Sequence, residues 1–148
     1  MIRIILREYE VNGPDKGNYF YLRSEVADEG YTGWSDFVVA EDDLRVFSEE
    51  LKDFGKEFKG TPELKTGWGN EVYFQVRFEK WKPTGSLWVG GEIAAPARSG
   101  RDLDPLCSHR FTFGFPTDPV QFDSFLESLL GLLNRTGEEA VLGSFNQG

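Results

Sequence analysis

Two stretches of this chain carry the same arrangement of apolar and polar positions: an apolar strand runs into an acidic cap, and a helix with apolar residues at positions one, four and eight follows. The first copy reads Phe37-Val38-Val39-Ala40-Glu41-Asp42-Asp43 and continues through Leu44, Phe47, Leu51 and Phe54. The second reads Phe111, Phe113, Phe115 and Thr117-Asp118-Pro119, and continues through Phe122, Phe125, Leu129 and Leu132. A constant offset superposes Phe37 on Phe115, Phe47 on Phe125, Glu49 on Glu127 and Leu51 on Leu129. Any two amphipathic helices match this way, so a shared packing solution is the simpler account and an ancestral duplication the alternative.

Strands are predicted over Ile2 to Glu10, Tyr19 to Ala27, Gly33 to Val39, Glu71 to Trp81, Leu87 to Ala94 and Arg110 to Phe115. The fourth is the clearest, with Val72, Phe74, Val76 and Phe78 on one side and Glu71, Tyr73, Gln75, Arg77 and Glu79 on the other; strict alternation means one buried and one solvated face. Ile2, Ile4 and Leu6 alternate with Arg3 and Arg7 in the first, although Ile5 breaks the pattern. Asn12-Gly13-Pro14-Asp15 with Gly17-Asn18, and Lys82-Pro83-Thr84-Gly85, are hairpin turn signals. Short connections imply a mainly antiparallel sheet.

A helix is predicted over about 42–58, with Glu41, Asp42 and Asp43 at its positive end, where carboxylates suit the dipole. Leu44, Phe47, Leu51, Phe54 and Phe58 form its buried stripe, and Gly55 weakens its last turn. A second helix, over about 118–135, takes Asp118 as cap, Pro119 at its first position and Gln121 at the capping-box spacing. Its apolar positions exceed one stripe, which makes it the more buried of the two. The expected fold is therefore α+β and two-layer: a mainly antiparallel sheet of about six strands with two helices packed on one face.

With 148 residues, the chain reads as a single domain over 1–148. Its 39% apolar content and 13 Phe supply a packed core. No apolar run approaches the roughly 18 residues of a membrane span, and Arg3 and Arg7 interrupt an N-terminal stretch too short for a secretory signal. One cysteine, Cys107, permits no internal disulfide and fits a reducing, cytoplasmic setting. The net charge of −9 opposes direct nucleic-acid binding and anionic membranes, and favours a basic protein partner; solubility alone is the competing explanation.

Candidate chemistry is sparse. Cys107-Ser108-His109 offers two metal ligands where a structural zinc needs about four, and alternate positions on an extended segment do not set a thiol on an imidazole. Asp102 and Asp104, beside Arg98 and Arg101, read as a charge-balanced loop within 96–108. Gly67-Trp68-Gly69 and Gly90-Gly91 lack the spacing of a phosphate cradle. No catalytic, cofactor or metal site is assigned, and the expected role is non-enzymatic.

Two docking surfaces stand out instead. Tyr73, Arg77 and Trp88 share the predicted open sheet face, and Tyr, Trp and Arg are common interface anchors. The acidic outer side of helix one, with the turn before it, is the other: Asp28, Glu29, Glu41, Asp42, Asp43, Glu49, Glu50 and Asp53. Residues 1–59 hold 14 acidic and 8 basic side chains, so negative charge is concentrated in the half that carries this surface.

The succession of a few strands, Asp43-Leu44-x-x-Phe47-x-x-x-Leu51-x-x-Phe54, the alternating Val72 to Phe78 strand, Phe111-x-Phe113-x-Phe115 and Phe122-x-x-Phe125-x-x-x-Leu129 resembles the WapI-like bacterial immunity proteins. The likeness spans about Asp36 to Leu133 and consists of core-forming positions, so it transfers no binding residue. It implies a small cytosolic antidote that binds and neutralises the toxic domain of a contact-delivered toxin, in the founding case a ribonuclease acting on transfer RNA. A structural or adaptor module, such as a secretion chaperone docking through the open sheet face, is the alternative. Oligomeric state is left open between monomer and dimer.

Overall fold

The computed structural model describes residues 1–68, 71–81, 85–99 and 102–144; side chains of Pro14, Trp68, Glu71, 95–99 and 102–109 fall outside that description. The fold is α+β, with strands β1 (Ile2–Glu10), β2 (Tyr19–Asp28), β3 (Tyr31–Ala40), β4 (Glu63–Trp68), β5 (Glu71–Lys80), β6 (Leu87–Ser99), β7 (Asp102–Thr117) and β8 (Glu139–Leu142), and helices α1 (Glu41–Glu57) and α2 (Pro119–Leu133).

The expected single sheet is instead two antiparallel four-strand sheets, ordered β3-β2-β1-β8 and β4-β5-β6-β7, with the helices packed against them. Each helix leaves an edge strand of one sheet and delivers the chain to an edge strand of the other: α1 links β3 to β4, and α2 links β7 to β8. Counted from β8, the chain is thus two successive units of four antiparallel strands followed by a helix. The two strand-into-helix segments of the sequence are the ends of those units.

The additional strands are β4 and β8. Both are short edge strands with few core residues: Leu64 in β4, and Ala140 and Leu142 in β8, are the buried apolar positions among the described side chains. Too little apolar material remains to generate visible alternation. The segment read as a loop over 96–108 also differs, because β6 continues to Ser99 and β7 begins at Asp102, extending the hairpin outward. Of the turn over 82–85, residues 82–84 lie outside the described residues. The first turn is a short 3-10 segment, Pro14–Lys16, flanked by left-handed Asn12 (φ 56°) and closed by Gly13 N–H donating to the Gly17 carbonyl at 2.8 Å.

Both helices bury the expected stripe except for Phe58, which follows α1 as its left-handed C-cap (φ 52°) and is half-buried. Leu44, Phe47, Leu51 and Phe54 of α1, and Phe122, Phe125, Leu129 and Leu132 of α2, are almost entirely excluded from solvent. Their rings converge on Phe78 of β5, with centroids 6.4 Å from Phe47, 5.5 Å from Phe122 and 6.0 Å from Phe125. Gly55, which propensity alone reads as a weak point, has a packing reason: a Cβ there would meet the Phe122 ring at 3.0 Å.

The sheets meet through Phe37 and Phe74, stacked at 4.3 Å with planes 3° apart. Beside them, buried Ser35 donates its hydroxyl to the Tyr73 carbonyl at 3.1 Å and exchanges a hydrogen bond with Ser24 Oγ at 3.0 Å. Asp28 Oδ2 accepts from the Gly114 N–H at 2.9 Å, closing a second bridge between sheets.

Gly91 permits the closest approach within the second sheet, since a Cβ there would overlap the Gln75 carbonyl of β5. A Cβ at Gly131, in α2, would meet Thr136 Oγ1 at 3.5 Å, an ordinary van der Waals contact. Gly91→Ala should therefore lower unfolding free energy by about 1–3 kcal/mol through overpacking. Gly131→Ala should raise it by about 0.5–1 kcal/mol through helix propensity. Urea denaturation of both variants checks the opposite signs.

Candidate functional site

The outer side of α1 follows from its inner side. With Leu44, Phe47, Leu51 and Phe54 turned inward, positions 42, 43, 46, 49, 50 and 53 face water. Asp42, Asp43, Glu49, Glu50 and Asp53 are all exposed, and Val46 among them is 57% exposed. Val46 is three or four residues from Asp42, Asp43, Glu49 and Glu50, the spacing of surface neighbours on a helix. An apolar centre ringed by carboxylates results. Two cations stand beside this face: Lys52 reaches Glu49 at 3.1 Å, a solvent-exposed pair worth at most about 1 kcal/mol, and Arg45, itself exposed, is turned to Glu41 at 2.9 Å. Towards the helix end, Glu50, Asp53 and Glu57 line a groove of about 360 Å³ with Lys59 and Pro62.

Two carboxylates of the expected acidic surface are half-buried and engaged by the fold instead. Asp28 is engaged by the Gly114 N–H. Glu41, only 13% exposed, accepts from Tyr9 Oη at 2.9 Å, Asn18 Nδ2 at 2.9 Å and Arg45 Nη2 at 2.9 Å, with Arg135 at 3.8 Å. These donors, Asn18 foremost, hold its carboxyl below the usual glutamate range. Burial, with the Glu41 contact, pushes the Tyr9 phenol up, and the Arg135 guanidinium lies over the Tyr9 ring at 4.3 Å. Glu41 therefore joins β1, the first turn, α1 and the end of α2. The helix N-cap itself is Ala40, which has no capping side chain. In α2 the expected cap forms, with Asp118 Oδ1 accepting from the Gln121 N–H at 2.8 Å.

The expected trio on the open sheet face is divided. Arg77 and Trp88 do share the outer face of the second sheet, lining a shallow groove of about 260 Å³ with Gln75, Glu92 and Thr112. The Trp88 indole lies over Gly90 and Gly114, where a Cβ would strike it, and Trp81 approaches at 5.8 Å. Tyr73 departs from them because the β4–β5 ladder slips: Thr66 pairs with Phe74 and Gly67 with Val72, leaving Tyr73 unmatched. Its ring is partly buried against the core and lines a separate groove beside the first sheet.

That groove, about 610 Å³, is lined by Arg7, Tyr21, Arg23, Asp36, Val38 and Tyr73, among others. Sequence reasoning missed it. The available signal was Ile5, whose break in alternation precedes a bulge: Leu6 pairs with Leu22 and Glu8 with Tyr21, leaving Arg7 unmatched.

The side chains of Asp102, Asp104, Cys107 and His109 lie outside the described residues, as do residues 69, 100 and 101. Among the described residues, no three His, Cys, Asp or Glu side chains gather as a metal site, and no helix is long and apolar enough to cross a membrane.

The Glu41 hub carries a prediction. Its folded pKa lies below its unfolded value, so the stabilisation is complete above the unfolded carboxylate range and is lost as pH falls through the folded value. Glu41→Gln should lower stability at neutral pH by about 1–3 kcal/mol. It should also flatten the acid limb of stability against pH, measurable by denaturant titration across the range below about pH 5. No family model matches the chain, no curated protein matches its sequence, and no solved structure matches it.

Proposed function

We propose that this chain is a non-enzymatic binding protein, an immunity protein that neutralises a basic, nuclease-type toxin domain by direct contact. The observation that carries this reading is the outer face of α1, where exposed Val46 is surrounded by Asp42, Asp43, Glu49 and Glu50, with Asp53 one turn further on. An apolar anchor inside a charged ring is how an interface combines affinity with selection. Complementary charge steers a basic cleft into encounter and rejects anionic competitors, including nucleic acid. The resemblance to the WapI-like immunity proteins supports the same class of partner.

A second reading keeps the protein-binding role but moves it to the outer face of the second sheet. Trp88 and Arg77 line that face with Trp81 beside them, and this arrangement would suit an adaptor or secretion chaperone. Its contact would be broad and aromatic, with little dependence on salt.

The readings diverge in kinetics. Glu49→Lys, Glu50→Lys and Asp53→Lys combined should slow association with the toxin domain by about tenfold or more at low salt and leave the melting temperature nearly unchanged, since the core is untouched. Stopped-flow mixing measures the rate. An unchanged rate would remove α1 as the docking site; sensitivity to Trp88→Ala instead would transfer it to the sheet face.

A further inference from the structure

The groove beside the first sheet shares no residue with the acidic face of α1. Its volume, about 610 Å³, falls within the roughly 300–1,000 Å³ typical of small-molecule sites. Two independent irregularities converge on it. Arg7 is the residue left over by the bulge in β1, and Tyr73 the residue left over by the slip between β4 and β5. They come from different sheets, yet both line the groove. A bulge re-aims a side chain at the expense of ladder pairing, and bulges are enriched beside functional sites for that reason.

The charges differ in what they already hold. Arg23 is bound by Asp36 through two contacts, Nε to Oδ1 at 2.8 Å and Nη2 to Oδ2 at 3.1 Å, and stacks on Trp34 at 4.4 Å. Arg7 has neither a hydrogen bond nor an ion pair from its side chain among the described residues. Tyr21 donates its hydroxyl to Glu10 at 3.2 Å, and burial together with that carboxylate pushes its phenol up, so the ring is a neutral wall. The groove thus offers, among the described residues, one uncommitted cation and a wall of Tyr21, Val38 and Tyr73, with Asp36 already matched to Arg23.

We propose that this groove binds a small monocarboxylate with a planar apolar body, its carboxylate on the Arg7 guanidinium and its body against Tyr21, Val38 and Tyr73. A guanidinium matches a carboxylate with two parallel hydrogen bonds, and aromatic walls favour a flat partner. With Arg23 held by Asp36, Arg7 matches a single negative charge rather than a dianion.

The test is a heteronuclear NMR titration of the full chain with phenylacetate and with its uncharged isostere phenylacetamide. Phenylacetate should shift amides of β1, β2, β3 and the start of β5 saturably, and phenylacetamide should bind about tenfold more weakly, the difference a charge-assisted pair supplies. Arg7→Met, an exposed substitution, should abolish that preference without moving the melting temperature. Absence of saturable shifts, equal affinity for the two compounds in the unsubstituted chain, or an unaltered preference in Arg7→Met would each overturn the assignment.

Discussion

The arrangement depends on the aromatic junction at Phe78. One ring, fully excluded from solvent, receives Phe47 from α1 and both Phe122 and Phe125 from α2, while Phe54 meets Phe122 at 5.7 Å across the helix pair. Neither helix can shift without opening a void under the other. Truncating a buried ring of this size costs about 3–5 kcal/mol, a large share of the roughly 5–15 kcal/mol that holds a domain folded. The same junction fixes which side of α1 faces water, and hence where its carboxylates stand.

A second constraint lies between the sheets. Each sheet gives one face to the common core, and the Phe37–Phe74 stack with the Ser24–Ser35–Tyr73 hydrogen bonds sets how they meet. Crossovers α1 and α2 then tie an edge of each sheet to an edge of the other. The outer faces remain open, and ladder irregularities have room to aim Arg7 and Tyr73 at a groove. The surfaces proposed for binding are therefore ones that the core does not consume.

Where burial is periodic, the sequence was readable. The alternation of Phe74, Val76 and Phe78 located β5, and the spacing of Leu44, Phe47, Leu51 and Phe54 located α1 to within one residue at each end. Pairing between distant segments was not readable: among the described side chains β8 contributes Ala140 and Leu142 to the core and β4 contributes Leu64, so neither generates a period. The division into two sheets was a separate matter, since β1, β2 and β3 form one ladder and β5, β6 and β7 another with or without those edge strands. Among site residues, exposure of Asp42, Asp43, Glu49, Glu50 and Asp53 came from helical periodicity. The separation of Tyr73 from Arg77 and Trp88 came from a register slip, which depends on the partner strand and leaves alternation in β5 intact. Glu41 illustrates the same limit, since its hydrogen-bond donors Tyr9 and Asn18 and its ion-pair partner Arg135 come from three distant segments.

The central claim is that this chain acts by occupying a toxin rather than by chemistry of its own, and survival of cells tests it most directly. A toxic domain encoded beside this gene would be induced with and without the chain co-expressed, followed by purification of whatever remains bound. The account predicts rescue, with the two proteins recovered as a complex. Toxicity that persists despite abundant folded chain would contradict it.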